Sequence, residues 1–93
     1  MKELDPLPHS QLRLAVMSIL INVEEADFVY LREKTEATAG NLSVQLDKLA
    51  AAGYITIEKG FFGKKTRTVC RISEQGLRAF EKYVEALKEY LNL

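Results

Sequence analysis

The stretch "TAGNLSVQLDKLAAAG", residues 38–53, predicts a helix whose two sides differ in chemistry. Leu42, Leu46 and Leu49 recur at helical spacing, so one side is apolar and suited to a protein core. The opposite side lacks the usual mixture of glutamate and lysine and carries mostly small or short polar residues. Its members are Thr38, Gly40, Asn41, Ser43, Val44, Gln45 and Lys48. An exposed side so poor in charge suggests a surface that approaches another molecule.

A short helix precedes this stretch and is separated from it by a brief turn. "FVYLREKT", residues 28–35, follows Asp27, and aspartate is a favoured N-cap. Thr38 is the predicted N-cap of the next helix, and Gly53 is expected to end it because glycine adopts the left-handed conformation at low cost. Two helices joined by so short a turn form a helix-turn-helix.

The first helix of the chain is predicted to begin after Ser10. Pro6 and Pro8 prevent an earlier start and give a flexible lead-in, and serine is a favoured N-cap. Apolar residues cover most of the circumference between residues 12 and 21. This pattern predicts burial in the core on one side and against a partner on the other.

After Gly53 the apolar period changes to two, which is the period of a strand. "YITIEK" (54–59) and "TRTVCRI" (66–72) are rich in β-branched residues, and "GFFGK" (60–64) lies between them. These segments predict an antiparallel hairpin with a loop longer than the tightest turn. Alternation places Thr66, Thr68, Cys70 and Ile72 on one face of the second strand and Arg67, Val69 and Arg71 on the other.

The segment 73–93 predicts a long helix that opens at Ser73. Its apolar residues step by three and four positions, which is the narrow seam of a coiled coil. They are Leu77, Phe80, Val84, Leu87 and Leu91, with Tyr83 and Tyr90 on one flank. At about 1.5 Å per residue the helix is close to 30 Å long, too long for a small domain to cover alone. We expect it to pair two copies; the alternative is packing on the first helix of the same chain.

Composition fits one small soluble domain. The 93 residues are 47% hydrophobic and 28% charged, and no apolar run approaches the length of a membrane span. The N-terminus "MKELDPLPHS" resembles no secretory signal, and the one cysteine, Cys70, fits a reducing compartment. We therefore expect a cytoplasmic protein.

Charge is unevenly distributed although the net charge is zero. Residues 1–36 carry seven acids against four bases, whereas residues 59–72 carry five bases and no acid. These bases are Lys59, Lys64, Lys65, Arg67 and Arg71. The hairpin is therefore predicted to be strongly cationic, and the alternative interpretation is an ordinary solvated basic loop.

The order of elements predicts a mainly α fold with a small β-hairpin (α+β), namely a winged helix-turn-helix with an extra long C-terminal helix. Residues 1–93 form a single domain in this interpretation. The helix-turn-helix core and the wing occupy residues 8–72, and the C-terminal dimerisation helix occupies residues 73–93.

The chain resembles a known family in "TAGNLS" (38–43), in "LDKLAAAGYI" (46–55), and in the pattern T-x-x-x-I-S-x-x-G at 68–76. It is similar to the small stand-alone winged helix DNA-binding transcriptional regulators of bacteria and archaea, grouped with the MarR and ArsR superfamilies. The resemblance implies a cytoplasmic homodimer that binds operator DNA and dimerises through terminal helices. Thr35, Glu36 and Ala37 stand where the family more often has a Leu-Gly-Leu turn, and Gln45 stands where histidine is frequent.

In a helix-turn-helix the second helix of the pair lies in the major groove of double-stranded DNA. Asn41 and Gln45 can make bidentate contacts with adenine, and Val44 can touch a thymine methyl group. Gly40 permits close approach of the backbone. Thr38, Ser43 and Lys48 suit phosphates or bases. The alternative for Gly40, Asn41 and Ser43 is that they serve only helix capping.

The wing supplies a second predicted contact. Lys64, Lys65 and Arg67 flank its tip and can follow the DNA backbone or enter the minor groove. Phe61 and Phe62 are less readily placed: one is expected to fold back on the domain, and the other to be exposed or to pack against DNA sugars.

Dimerisation would set the two reading helices about 34 Å apart, one turn of DNA. The predicted interface residues are Leu7, Leu12, Val84, Leu87, Tyr90 and Leu91, with Leu4 beside them.

No set of residues suggests catalysis, a cofactor or a metal site. His9 and Cys70 lie on different elements, and the chain has no glycine-rich phosphate loop and no Cys-x-Cys metal signature. His9 is expected to be a surface residue and Cys70 a core residue, with a redox switch as its minor alternative. The second functional hypothesis is a winged helix that binds proteins rather than DNA, which the zero net charge favours. A small-molecule effector stays unassigned.

Overall fold

The computed structural model describes residues 10–92, which form four helices and a three-stranded sheet. In chain order the elements are α1 (Gln11–Ile21), β1 (Ala26–Asp27), α2 (Phe28–Thr35), α3 (Ala39–Ala51), β2 (Ile55–Phe62), β3 (Lys65–Ile72) and α4 (Glu74–Leu91). This is the predicted winged helix-turn-helix: α2 and α3 form the helix-turn-helix, and β2 and β3 form the wing. The helices are the expected ones, and β1 is an addition.

Each helix begins at a side chain that accepts a hydrogen bond from the backbone of its first turn. The three predicted N-caps are confirmed: Ser10 for α1, Asp27 for α2 and Thr38 for α3. Ser73, where the last helix was predicted to open, is the N-cap of α4. Gly53 follows α3 with a φ of +80°, as expected of a residue that ends a helix in the left-handed region. Local chemistry therefore determines where the helices begin and where α3 ends.

The core lies between α1, α2, α3 and the base of the wing. Leu42, Leu46 and Leu49 of α3 are all buried, as their spacing predicts. They join a cluster that includes Val16, Met17, Leu20, Leu31, Tyr54, Ile55 and Cys70. Burial, with a smaller contribution from the Asp27 carboxylate, raises the pKa of the Cys70 thiol to about 11. Cys70 is therefore a protonated core residue at neutral pH.

The sheet has the order β1-β3-β2, and both pairings are antiparallel. β1 contributes only two residues, of which Ala26 lies opposite Cys70 and Asp27 opposite Val69. A two-residue strand has no periodicity of its own, so sequence pattern could not reveal it. Its pairing fastens the base of the wing to the start of α2.

The tip of the wing is a two-residue turn, so the expectation of a loop longer than the tightest turn was wrong. Phe62 pairs with Lys65, so only Gly63 and Lys64 connect the strands. Gly63 has a φ of +67°, and a positive φ at the first central residue is the pattern of a type II′ turn. The two phenylalanines continue β2 instead of forming the loop. We call residues 60–67, all of which are exposed, the wing tip.

Helix α4 packs on the body through its first half. A Cβ at Gly76 would lie 2.0 Å from the carbonyl oxygen of Tyr54, so only glycine permits this approach. Tyr83 and Ala86 are buried farther along the helix. The buried residues of α4 are thus offset by about one position from the predicted seam. The seam residues are half-buried or exposed, namely Leu77, Phe80, Val84, Leu87 and Leu91. Among residues 10–92, no helix is long and apolar enough to cross a membrane.

Candidate nucleic-acid interface

The side of α3 opposite its three leucines is open to solvent. Val44 is 50% exposed, and Gln45 is half-buried. The other members of the predicted surface are all exposed, namely Thr38, Gly40, Asn41, Ser43 and Lys48. A Cβ built at Gly40 would meet no atom within 4 Å, so the packing of the protein itself does not require glycine there. Most side chains of this surface are short and uncharged, which allows close approach of a second molecule.

Two amide side chains on this surface are hydrogen-bonded to one another and to α1. Gln45 Nε2 donates to Asn41 Oδ1 over 3.3 Å, and Arg13 Nη1 donates to Gln45 Oε1 over 2.5 Å. Sequence reasoning did not assign Arg13 to the site. The contact spans 32 positions of the chain, and only the packing of α1 on α3 reveals it.

The five bases of residues 59–72 fall into two groups. Lys59, Lys64 and Lys65 are exposed and form no ion pair with any residue between 10 and 92. Arg67 instead pairs with Asp27 at 3.3 Å. Arg71 bridges Glu25 at 2.6 Å and Glu58 at 3.0 Å. The free positive charge of the wing therefore belongs to its three lysines.

Both phenylalanines of the wing tip are exposed. Phe61 is 80% and Phe62 75% accessible, so the expectation that one folds back on the domain was wrong. Strand alternation directs them to opposite faces of the hairpin. The Arg67 guanidinium lies 5.9 Å from the centroid of the Phe62 ring, within cation–π range. Arg67 thus lies between Asp27 and Phe62 instead of extending freely from the wing.

A groove runs between α3 and the wing. Ser43 and Asp47 line it from the helix, and Lys59 and Thr68 line it from the strands. Lys59 and Thr68 pair across the hairpin, so both side chains face α3. Sequence reasoning named both residues on the strands but assigned neither to the site. The period-two alternation that placed Thr68 on the face of Cys70 was the signal that could have found them.

The predicted dimer residues are placed as follows. Val84 and Leu87 are half-buried along α4, whereas Tyr90 is 41% and Leu91 77% exposed. Leu12 packs partly against the core. The remaining predicted positions, Leu4 and Leu7, lie outside the described residues. The C-terminal part of α4 therefore carries a partly uncovered apolar stripe.

Between residues 10 and 92, no three His, Cys, Asp or Glu side chains are grouped closely enough to hold a metal ion. His9 lies outside the described residues. The chemistry available at the surface is hydrogen bonding by amides and hydroxyls together with lysine charge, which suits recognition of a polyanion.

Comparison with known proteins agrees with this geometry. The model of the winged helix DNA-binding domain family matches residues 12–91. An uncharacterized protein of Methanocaldococcus jannaschii is 32% identical over 76 residues, covering 82% of this chain and 83% of the relative.

Solved structures show the same fold. A transcriptional regulator homologue protein from Pyrococcus horikoshii superposes with a TM-score of 0.85 at 23% identity, covering 92% of this chain and 85% of the other. A PadR family transcriptional regulator from Eggerthella lenta superposes with a TM-score of 0.66 at 26% identity, covering 86% and 80%. The family match spans nearly all of the described residues and both surfaces above. The chain belongs to the winged helix DNA-binding domain family, and this membership indicates a regulatory protein rather than an enzyme.

Proposed function

We propose that the protein is a sequence-specific transcriptional regulator that binds double-stranded DNA as a homodimer. In this proposal α3 is the recognition helix and enters the major groove, while the wing contacts the backbone or the minor groove. One observation supports it above the others. The recognition surface of α3 and the wing meet at one groove, which Ser43 and Asp47 line from the helix and Lys59 lines from the strands.

On the recognition helix, short side chains let the backbone approach the bases, and their hydroxyl and amide groups match the edges presented in the major groove. Val44 offers an apolar contact for a thymine methyl group, and Lys48 is suited to a phosphate or a guanine. We assign base contacts to this helix because its surface carries short side chains and hydrogen-bonding groups but little charge.

On the wing, Lys64 and Lys65 extend from the tip without ion pairs to described residues, and Lys59 lies nearer α3. These lysines are suited to neutralising phosphates, a contact that carries affinity but little sequence information. Arg67 requires release from Asp27 before it can join them. We therefore give the lysines the larger share of the electrostatic attraction.

Two copies are needed because one α3 reads few base pairs. The apolar stripe on α4, with Val84, Leu87 and Leu91, is our proposed dimer contact. Replacing Leu87 with glutamate is expected to shift the protein from dimer to monomer in analytical ultracentrifugation, since a charge would be buried in an apolar contact. Lys82→Glu, on the opposite side of α4, is the matched control. A monomeric wild-type protein would contradict the proposed dimer.

The central test of DNA binding is a gel-shift titration with random duplex DNA at two salt concentrations. We expect binding that weakens as salt rises: the logarithm of the binding constant should fall against the logarithm of the salt concentration with a slope of about 0.9 for each neutralised phosphate. Lys64→Ala/Lys65→Ala should weaken binding and lower this slope by nearly the amount expected for two phosphates. Arg78→Ala/Lys82→Ala removes the same charge from the side of α4 away from the proposed dimer contact and should leave the slope unchanged.

A second candidate, a protein-interaction module, is favoured by two observations. The net charge is zero, and Arg67 and Arg71 are neutralised by acids. The exposed Phe61 and Phe62 would then be contacts for another protein. Absence of any duplex binding at low salt would favour this candidate over the regulator.

A further inference from the structure

The hydrogen bonds that join α1 to the exposed surface of α3 determine how that surface presents its amides. Arg13 donates to Gln45, and Gln45 donates to Asn41. We infer that Arg13 is a positioning residue for base recognition: it orients the amide of Gln45, which in turn orients the amide of Asn41. This inference rests on the proposed DNA-binding function and names a residue that sets its specificity.

The direction of each bond follows from the chemistry of the groups. A guanidinium only donates hydrogen bonds, so the atom of Gln45 that faces Arg13 must be the carbonyl oxygen Oε1. The other end of that amide is then the Nε2 group, which also only donates. The atom of Asn41 that receives it must therefore be Oδ1, and the Nδ2 group of Asn41 is left pointing away from Gln45. A single positive charge on α1 thus determines the orientation of two neutral amides.

The backbone that carries each end of this connection is fixed by a helix N-cap. The backbone N–H of Arg13 donates to the Ser10 hydroxyl at 3.5 Å, and the backbone N–H of Asn41 donates to the Thr38 hydroxyl at 3.2 Å. Hydrogen bonds from a charged donor are also stronger than those between neutral groups. Since α1 and α3 pack against each other through the core, the amides are held before any ligand arrives, which lowers the cost of ordering them on binding.

The consequence is a preference for one kind of base edge. Asn41 presents N–H donors outward, while its oxygen is already engaged by Gln45. Such a group suits acceptors in the major groove, namely O6 and N7 of guanine, O4 of thymine and N7 of adenine, and it disfavours the N4 donor of cytosine. This preference differs from the sequence-based expectation, in which Asn41 and Gln45 each make a bidentate contact with adenine. Without Arg13 both amides could rotate, and the preference would relax.

The test compares Arg13→Met with Lys48→Met on duplexes selected from a random pool by the wild-type protein. Arg13→Met is expected to reduce discrimination at one or two base pairs by about tenfold while leaving the salt slope unchanged. Lys48→Met is expected to weaken binding to every duplex and to lower the slope by about 0.9, as a phosphate contact does. Arg13→Met in a Gln45→Met background should change discrimination no further. A uniform loss with a lower slope for Arg13→Met would overturn the inference, because Arg13 would then be a phosphate contact.

A second measurement separates this inference from the proposed function. In the protein without DNA, NMR of the Gln45 side-chain amide should show an ordered group in the wild type and a mobile, faster-exchanging group in Arg13→Met. Unchanged order would overturn the inference even if the protein binds DNA. An ordered amide that Arg13→Met loosens, in a protein that binds no duplex, would instead overturn the proposed function and leave the positioning contact in place.

Discussion

The recognition helix and the wing are both proposed to meet DNA, yet the protein holds them in opposite ways. α3 is anchored by Leu42, Leu46 and Leu49, which are 0%, 2% and 0% exposed. The wing is anchored in the core at its base, by Ile55 and Cys70, whereas its tip is exposed at every position and is joined to the body by the exposed ion pair of Arg67 with Asp27. A helix that reads base edges must hold its side chains in fixed positions, whereas a lysine that neutralises a phosphate tolerates movement. The difference therefore matches the two roles we propose.

The largest expected effect tests the anchoring of α3. Leu46→Ala should lower the free energy of unfolding by about 2–5 kcal/mol, because a buried leucine loses its contacts and leaves a cavity. Phe61→Ala, which removes an even larger side chain from the wing tip, should change it by less than about 0.5 kcal/mol, since an 80% exposed ring makes few contacts. Urea unfolding followed by circular dichroism measures both. Equal losses in the two variants would contradict the contrast between the anchored helix and the exposed wing tip.

The second prediction separates base reading from phosphate contact. Asn41→Ala should weaken the binding free energy for the selected duplex by about 1–3 kcal/mol, because a base contact is lost. Its effect on binding to random duplex DNA should be small. Lys65→Ala should weaken binding to both duplexes by a similar factor. Fluorescence anisotropy at one fixed salt concentration measures the four affinities. If Asn41→Ala weakened both duplexes equally, its assignment as a base contact would be wrong.

The same contrast shows which features the sequence could predict. The N-caps of α1, α2 and α3 and the buried leucines of α3 were predictable, because capping and helical periodicity depend on residues a few positions apart. The contact of Arg13 with Gln45 was not, since it depends on how two helices pack across 32 positions. The ion pair of Arg67 with Asp27 joins residues 40 positions apart and escaped prediction for the same reason.

The wing illustrates a second limit. Its strands and its basic charge were evident from alternation and composition, but the length of its turn was not. Two aromatic residues between glycines gave no periodic signal, and Phe62 could belong either to a loop or to a strand. The pairing of Phe62 with Lys65 depends on the positive φ of Gly63, which sequence alone does not reveal.

The third prediction concerns Asp27, where the two regions meet. Its carboxylate accepts from the Tyr30 amide at 2.8 Å as the cap of α2 and pairs with Arg67 of the wing. Asp27→Ala should cost about 1 kcal/mol of stability through loss of the cap. Asp27→Asn keeps a capping oxygen and loses only an exposed ion pair, so it should cost less than about half of that. Thermal unfolding of the two variants gives the comparison, and an equal cost would mean that the ion pair, rather than the cap, stabilises this junction.

The smallest expected effect lies in the turn that leads into the recognition helix. Glu36 ends α2 with a φ of +58°, and a left-handed conformation costs a residue with a Cβ about 1–2 kcal/mol. Glu36→Gly removes that strain, but the greater flexibility of the unfolded chain lowers the free energy of unfolding by about 0.5–1 kcal/mol. We therefore expect the free energy of unfolding to rise by about 0.5 kcal/mol in Glu36→Gly. Glu36→Ala, which keeps the Cβ, should show no rise. Urea unfolding of the two variants decides between them, and a loss of stability in Glu36→Gly would mean that the glutamate side chain itself stabilises the turn before α3.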